Sequence, residues 1–134
     1  MTLRILHVLD HSIPLHSGYT FRTLSILREQ RALGWETFHL TSPKHTAPGG
    51  SEEDVDDLHF YRTPQYGGAL DRLPVVRELA LMRATARRLE TVARDVRPDI
   101  LHAHSPVLNA IPALWVGRRL GIPVVYEVRA FWED

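Results

Sequence analysis

Five short runs of branched and apolar residues alternate along the chain with longer stretches of helical period, and this alternation sets the fold class. Leu3 to Leu9 is the first run, nearly continuous in apolar character and followed at once by polar and turn-forming residues, as a buried parallel strand requires. The loop Asp10 to Gly18 leads into a helix predicted over Tyr19 to Leu33, with Phe21, Leu24, Leu27 and Ala32 or Leu33 on its core face and Gly34 as its stop. Glu36 to Thr41 reads as the second strand. Ser42 to Asp57 reads as a long loop, in which Glu52, Glu53, Asp54, Asp56 and Asp57 lack the spacing and glycine of a calcium loop and are expected in solvent. Leu58 to Tyr61 is a weak third strand.

After Pro64 and Gly67-Gly68, a long helix is predicted from Pro74 to Val96, carrying Val75, Leu79, Met82, Ala86, Leu89, Ala93 and Val96 on one face and ended by Pro98. Asp99 to His102 forms the fourth strand. A helix from Pro106 or Val107 to Leu120 follows, capped by Gly121, and Pro123 to Val128 completes the set as the fifth strand. These elements predict a Rossmann-like, doubly wound parallel sheet in three α/β/α layers, with strand order 3-2-1-4-5. The order reverses between the first and fourth strands, so the loops Asp10–Gly18 and His104–Pro106 flank one crevice, where such sheets bind ligands. Phe131, Trp132, Glu133 and Asp134 run past the last strand with no closing helix, and we expect residues 1–134 to be one truncated domain of a longer protein.

Composition narrows the function without naming it. Lys and Arg number 16 and Asp and Glu 16, so the net charge is zero and the electrostatic footprint of a general nucleic-acid binder is missing. There is no cysteine, which excludes disulfides and thiol catalysis. No apolar run approaches the roughly 18 residues of a spanning helix and no leader pattern opens the chain, so a cytoplasmic protein is expected. Arg83, Arg87, Arg94 and Arg97 lie within one stripe of the long helix, which leaves peripheral contact with an anionic membrane open; Glu78, Glu90 and Asp95 offset that charge and favour a solvated face.

Three groups of residues bear chemistry. Ser17-Gly18 opens the first helix, where free backbone N–H groups suit a phosphate or diphosphate, although Ser17 serves equally as an ordinary N-cap. In His102-Ala-His104-Ser105, residues two apart share one face of a strand, so both imidazoles address one site if the strand reaches His104. A metal ion would need a third ligand, for which Glu127 or His11 are the nearest choices; no spacing fixes one, and no metal is expected. Glu127 and Arg129 leave the last strand on one face, either as an ion pair or as ligands for hydroxyls or a phosphate, and Trp132 is a stacking platform or a core residue.

Taken in order, Leu6-His-Val-Leu-Asp10, the loop ending Ser17-Gly18, Arg31-Ala-Leu-Gly-Trp-Glu-Thr37 and Asp99-Ile-Leu-His-Ala-His-Ser105 resemble the N-terminal domain of GT-B glycosyltransferases of family 4. Pro123 to Asp134 is most similar to the subgroup associated with exosortase and exopolysaccharide synthesis. The resemblance implies half of a two-domain enzyme that moves a sugar from a nucleotide-sugar donor to a glycan or lipid-linked acceptor, with retention, no cofactor and no metal requirement. It implies that Ser17 and Gly18 approach the donor diphosphate and that His104 acts as the catalytic histidine at the transferring sugar. It places His11, His102, Ser105, Glu127 and Arg129 on the acceptor side. Tyr19 stands where the family carries a second glycine. A non-catalytic flavodoxin-like binding module and a hydrolase using a metal on His102 and His104 are the competing readings.

Overall fold

The computed structural model describes residues 2–12, 18–43, 45, 50–63 and 73–128. Within them the order is β1 (Arg4–Leu9), α1 (Gly18–Ala32), β2 (Glu36–Thr41), β3 (Glu52–Val55), β4 (Leu58–Arg62), α2 (Pro74–Val96), β5 (Ile100–His104), α3 (Val107–Leu120) and β6 (Val124–Glu127). They form a six-stranded sheet in the order β3-β4-β2-β1-β5-β6. All neighbours are parallel except the β3–β4 pair. The predicted order holds for the five parallel strands, with one antiparallel edge strand added.

That added strand corrects the reading of Ser42 to Asp57 as a loop. Glu52–Val55 pairs with β4 from Glu52↔Tyr61 to Val55↔Leu58, leaving Asp56 and Asp57 as a two-residue turn. Both have positive φ, 50° and 63°, which is the backbone a tight hairpin needs and which Asp tolerates better than most residues. Acidic side chains on such an edge discourage pairing with another chain. They are not all in solvent: Glu53 turns inward and takes two hydrogen bonds from Arg62.

The sheet's two faces differ in kind. On one, Leu6, Val8, Leu40, Leu101 and Ala103 meet Leu89, Val92, Ala93 and Val96 of α2 and Ala110, Ala113 and Val116 of α3 in a continuous apolar core. On the other, α1 supplies Leu24 and Leu27 to a smaller cluster with Leu9, Leu58 and Phe60, while His7, Thr37, His39 and Thr41 are also buried. Because the sheet beneath α1 is partly polar, the buried side of α1 is Thr20, Thr23, Leu24, Leu27 and Gln30. The predicted face is corrected accordingly: Phe21 is 55% and Leu33 66% exposed, and Ala32 is exposed too. In α2 the predicted face holds from Met82 onward, but Val75 and Leu79 in its first turns are exposed. No helix among the described residues is long and apolar enough to cross a membrane.

Two local features hold the elements in register. A Cβ on Gly117 of α3 would lie 2.6 Å from the Val124 side chain and 2.7 Å from the Ile122 carbonyl oxygen, so glycine lets α3 lie against the chain entering β6. Also at the amino ends of the strands, Arg4 of the central strand β1 donates to Glu36 and to the Val96 carbonyl, and Asp99 accepts the Arg4 N–H at 2.8 Å. That cluster ties β1, β2 and the α2–β5 junction together.

Gly117→Ala is therefore expected to cost about 1–3 kcal/mol by overpacking. Leu27→Ala is expected to cost about 2–5 kcal/mol, against less than about 0.5 for Phe21→Ser; denaturant unfolding of the first variant checks the approach of α3 to β6, and of the other two the assignment of the α1 core face. A third expectation concerns pH. Burial lowers the pKa of His39 from 6.5 to about 4, partly opposed by its hydrogen bond to the His59 carbonyl. Between those values the unfolded chain binds a proton that the folded chain refuses. Stability present above pH 6.5 is thus lost as pH falls towards 4, by roughly 3 kcal/mol from this group. Denaturant midpoints across that range should show a loss that His39→Asn reduces.

Candidate functional site

Strand ends β1, β2, β4, β5 and β6 meet along one edge of the sheet, and each contributes polar groups there. After β1, Asp10 and His11 pair at 2.9 Å, and the Tyr19 hydroxyl accepts the Asp10 N–H at 3.0 Å. The His11 and Tyr19 rings lie 4.6 Å apart. Tyr19, in place of a second glycine, thus ties the start of α1 to the end of β1. Gly18 is the first residue of α1 and is exposed. A Cβ there would meet nothing within 4 Å, so no packing within the described residues demands glycine.

The β2–β4 side is organised by Arg62. Its buried guanidinium donates to Ser12 Oγ at 2.7 Å, Thr41 Oγ1 at 3.2 Å and Glu53 Oε1 at 2.7 Å, and it covers the Phe60 ring at 4.7 Å. Burial pulls the Arg62 pKa below its usual value, while Glu53 opposes the shift. Burial, and then the positive charge of Arg62, holds His45 at a pKa of about 4. His45 Nδ1 accepts from the Ser12 N–H at 3.4 Å, and its Nε2 has no hydrogen-bond partner among the described residues. Neither Arg62 nor His45 stands out in the sequence; the signal for Arg62 is a lone cation at the end of the weakest strand.

The β1–β5–β6 side carries the histidines. β5 runs on to His104, two residues beyond its predicted end, so His102 and His104 share a face and their rings stack at 4.3 Å. His102 Nε2 lies 3.1 Å from Glu127 Oε1, and these two side chains are 13% and 24% exposed. His104 is fully buried. Its Nε2 lies 2.7 Å from Nδ1 of His7, whose Nε2 lies 2.7 Å from Gln30 Oε1. Asn109 holds the His104 carbonyl at 2.9 Å. Ser105 is buried, and its N–H donates to the Glu127 carbonyl at 2.9 Å.

The fold thus brings together His102, His104, Ser105 and Glu127 on neighbouring strand ends, with His11 and Gly18 on the adjoining β1–α1 side. Ser17 and Arg129 lie outside the described residues. His7 and Gln30 are unforeseen members. Both were legible only as polar residues inside otherwise hydrophobic periods, and parallel register sets His7 beside His102 on one side and His39 on the other. The arrangement offers hydrogen-bonding groups for hydroxyls at His102 and Glu127 and an anion-friendly helix start at Gly18.

Comparison with known proteins supplies what geometry leaves open. The family model described as glycosyl transferase 4-like domain matches residues 17–134. The sulfoquinovosyl transferase SQD2 of Arabidopsis thaliana is 29% identical over 109 residues, which is 81% of this chain but 19% of that protein. Among solved structures, the calicheamicin glycosyltransferase CalG4 superposes with a TM-score of 0.60 at 18% identity, over 100% of this chain and 32% of its own. The C-terminal domain of a hydrogenase from Pyrococcus furiosus also superposes, with a TM-score of 0.56 at 16% identity, over 93% of this chain and 91% of its own. Such structural likenesses speak for the fold alone. The chain spans about a fifth of its curated relative and a third of the solved transferase. With the family model covering nearly all of it, the chain belongs to the glycosyl transferase 4-like domain family of GT-B glycosyltransferases.

Proposed function

We propose that this chain is the acceptor-side, N-terminal domain of a retaining glycosyltransferase. The complete enzyme moves a hexosyl group from a nucleotide-sugar to a glycan or lipid-linked acceptor, without a cofactor, in exopolysaccharide or cell-envelope synthesis. It works in the cytoplasm, with peripheral contact at the membrane where its acceptor is lipid-linked. The observation that carries this reading is the family match over residues 17–134. The fold by itself does not, since a hydrogenase domain shares it.

The geometry supports the reading in two ways. Departure of a nucleoside diphosphate develops negative charge, and the start of α1 at Gly18, where a Cβ would meet nothing within 4 Å, offers the positive end of a helix dipole to such charge. Across the switch point, Glu127 and His102 give a hydrogen-bonded acid and base at the sheet edge, suited to holding acceptor hydroxyls. His104 contributes from beneath, as the buried residue against which His102 stacks. A second, donor-gripping domain completes the site in this account.

In the complete enzyme, Gly18→Val is expected to raise the KM for donor about tenfold, a loss of about 1.4 kcal/mol, with little change in thermal stability. Unchanged donor kinetics would remove the diphosphate role. His104→Ala is expected to lower kcat by about 100-fold in protein that still melts cooperatively; near-normal turnover would remove His104 from the mechanism.

A further inference from the structure

We propose that His7, His102 and His104 form a binding site for one divalent transition-metal ion of the zinc type. One ring nitrogen from each of the three lies within 4.8 Å of the others. The sheet itself assembles them: His7 and His102 are parallel partners on β1 and β5, and His104 follows His102 by one pleat on the same face. Their ring centroids are 4.7, 5.0 and 4.3 Å apart.

The surroundings of two of these rings fit ligation. Gln30 Oε1 holds His7 Nε2 at 2.7 Å, and Glu127 Oε1 holds His102 Nε2 at 3.1 Å. An oxygen on one ring nitrogen fixes the tautomer and leaves the other nitrogen, here Nδ1 in both rings, as the one with a lone pair for a metal; metal-bound imidazoles commonly carry such a partner. Glu127 also brings the negative charge that a dication in a partly buried place needs. Three neutral imidazoles suit zinc, copper or nickel, and disfavour magnesium and calcium, which prefer oxygen.

Without an ion, a hydrogen bond occupies the centre of the cluster. His7 donates Nε2–H to Gln30, so its Nδ1 accepts, and His104 donates Nε2–H across 2.7 Å. Metal entry replaces that bond. The His104 proton moves from Nε2 to Nδ1, so the pair neither gains nor loses a proton, and both facing nitrogens offer lone pairs. Tetrahedral zinc then sets them about 3.3 Å apart. The His102 ring must turn out of its stack with His104 to share the ion, and it is the ring of the three with solvent beside it. The fourth position is left to water. The inference does not rest on the transferase reading: metal content is read without any activity, and an ion on His102 would take up the His102–Glu127 pair that the transferase reading gives to acceptor hydroxyls.

The chain is to be purified without a histidine tag, stripped with chelator and titrated with zinc chloride by calorimetry, with cobalt absorption reporting geometry. The expected result is one equivalent bound, tetrahedral cobalt bands and a raised melting temperature. His102→Ala, which leaves the His7–His104 hydrogen bond in place, should weaken zinc binding by about 100-fold or more, and Glu127→Gln by about 10- to 100-fold. Glu127→Gln decides the matter if His102→Ala does not fold. The control is His59→Ala, since His59 bonds both Asp54 and Glu52 on the exposed β3–β4 hairpin and is the competing surface site. Absence of saturable binding to the stripped wild-type chain overturns the proposal. So does binding that survives in His102→Ala or in Glu127→Gln, or that disappears in His59→Ala.

Discussion

The structure depends on a constraint in one face of its sheet: imidazoles buried beneath and beside α1 must each find hydrogen-bond partners, because an unpaired polar group in the interior costs a large part of a small domain's stability. His39 is satisfied by the Thr37 hydroxyl and the His59 carbonyl, His7 by Gln30 and His104, and His102 by Glu127. This requirement selects Gln30 rather than an apolar residue for the buried side of α1. It sets the register of β1 against both its neighbours, and it draws the end of β6 towards β5. The opposite face makes no such demand, and α2 and α3 cover it with ordinary aliphatic packing.

Placement of the polar face decides where chemistry can occur. α1 covers Leu9, Leu58 and Phe60 but leaves His102 and Glu127 partly exposed, so the polar row runs from the closed interior at His39 to an open edge at Glu127. That gradient places groups that need rigidity inside and groups able to touch a ligand outside. The helix start at Gly18 stands at the same edge because the strand order reverses between β1 and β5. An anion-friendly terminus and a hydrogen-bonding pair on neighbouring strand ends are what a sugar diphosphate and a hydroxylated acceptor would require together. In that account Arg62 serves as a brace, joining Ser12, Thr41 and Glu53 beneath the other half of the edge.

The parallel strands were legible because Ile5, Leu6, Val8 and Leu9, or Leu101 and Ala103, are buried on both sides of the sheet and read as apolar runs. Glu52–Val55 was not legible. An edge strand needs no apolar pattern, and its turn is made by two aspartates in place of the usual asparagine or glycine. Phe21 was assigned inward on helical period alone, whereas the surface beneath α1 asks for Gln30 and Thr23. Strand direction put Glu127 at the same edge as the histidines, but its pairing with His102 was not legible, because Arg129 offered the nearer partner in sequence; the sharing of one face by His102 and His104 followed from the two-residue pleat. His7 did not follow. A single histidine in an apolar strand carries no sign of its partners until register sets it beside His102 and turns His104 towards it.

Central to this account is a domain that supplies one wall of a site and needs a donor-gripping partner for the other. The most direct measurement is the mass of the native gene product, detected with an antibody raised against this chain. The account predicts a band at no less than twice the 15.3 kDa of these residues, the size that a second domain of similar build demands. A band at 15.3 kDa, with no larger species carrying the epitope, would contradict it and leave a stand-alone binding module as the better description.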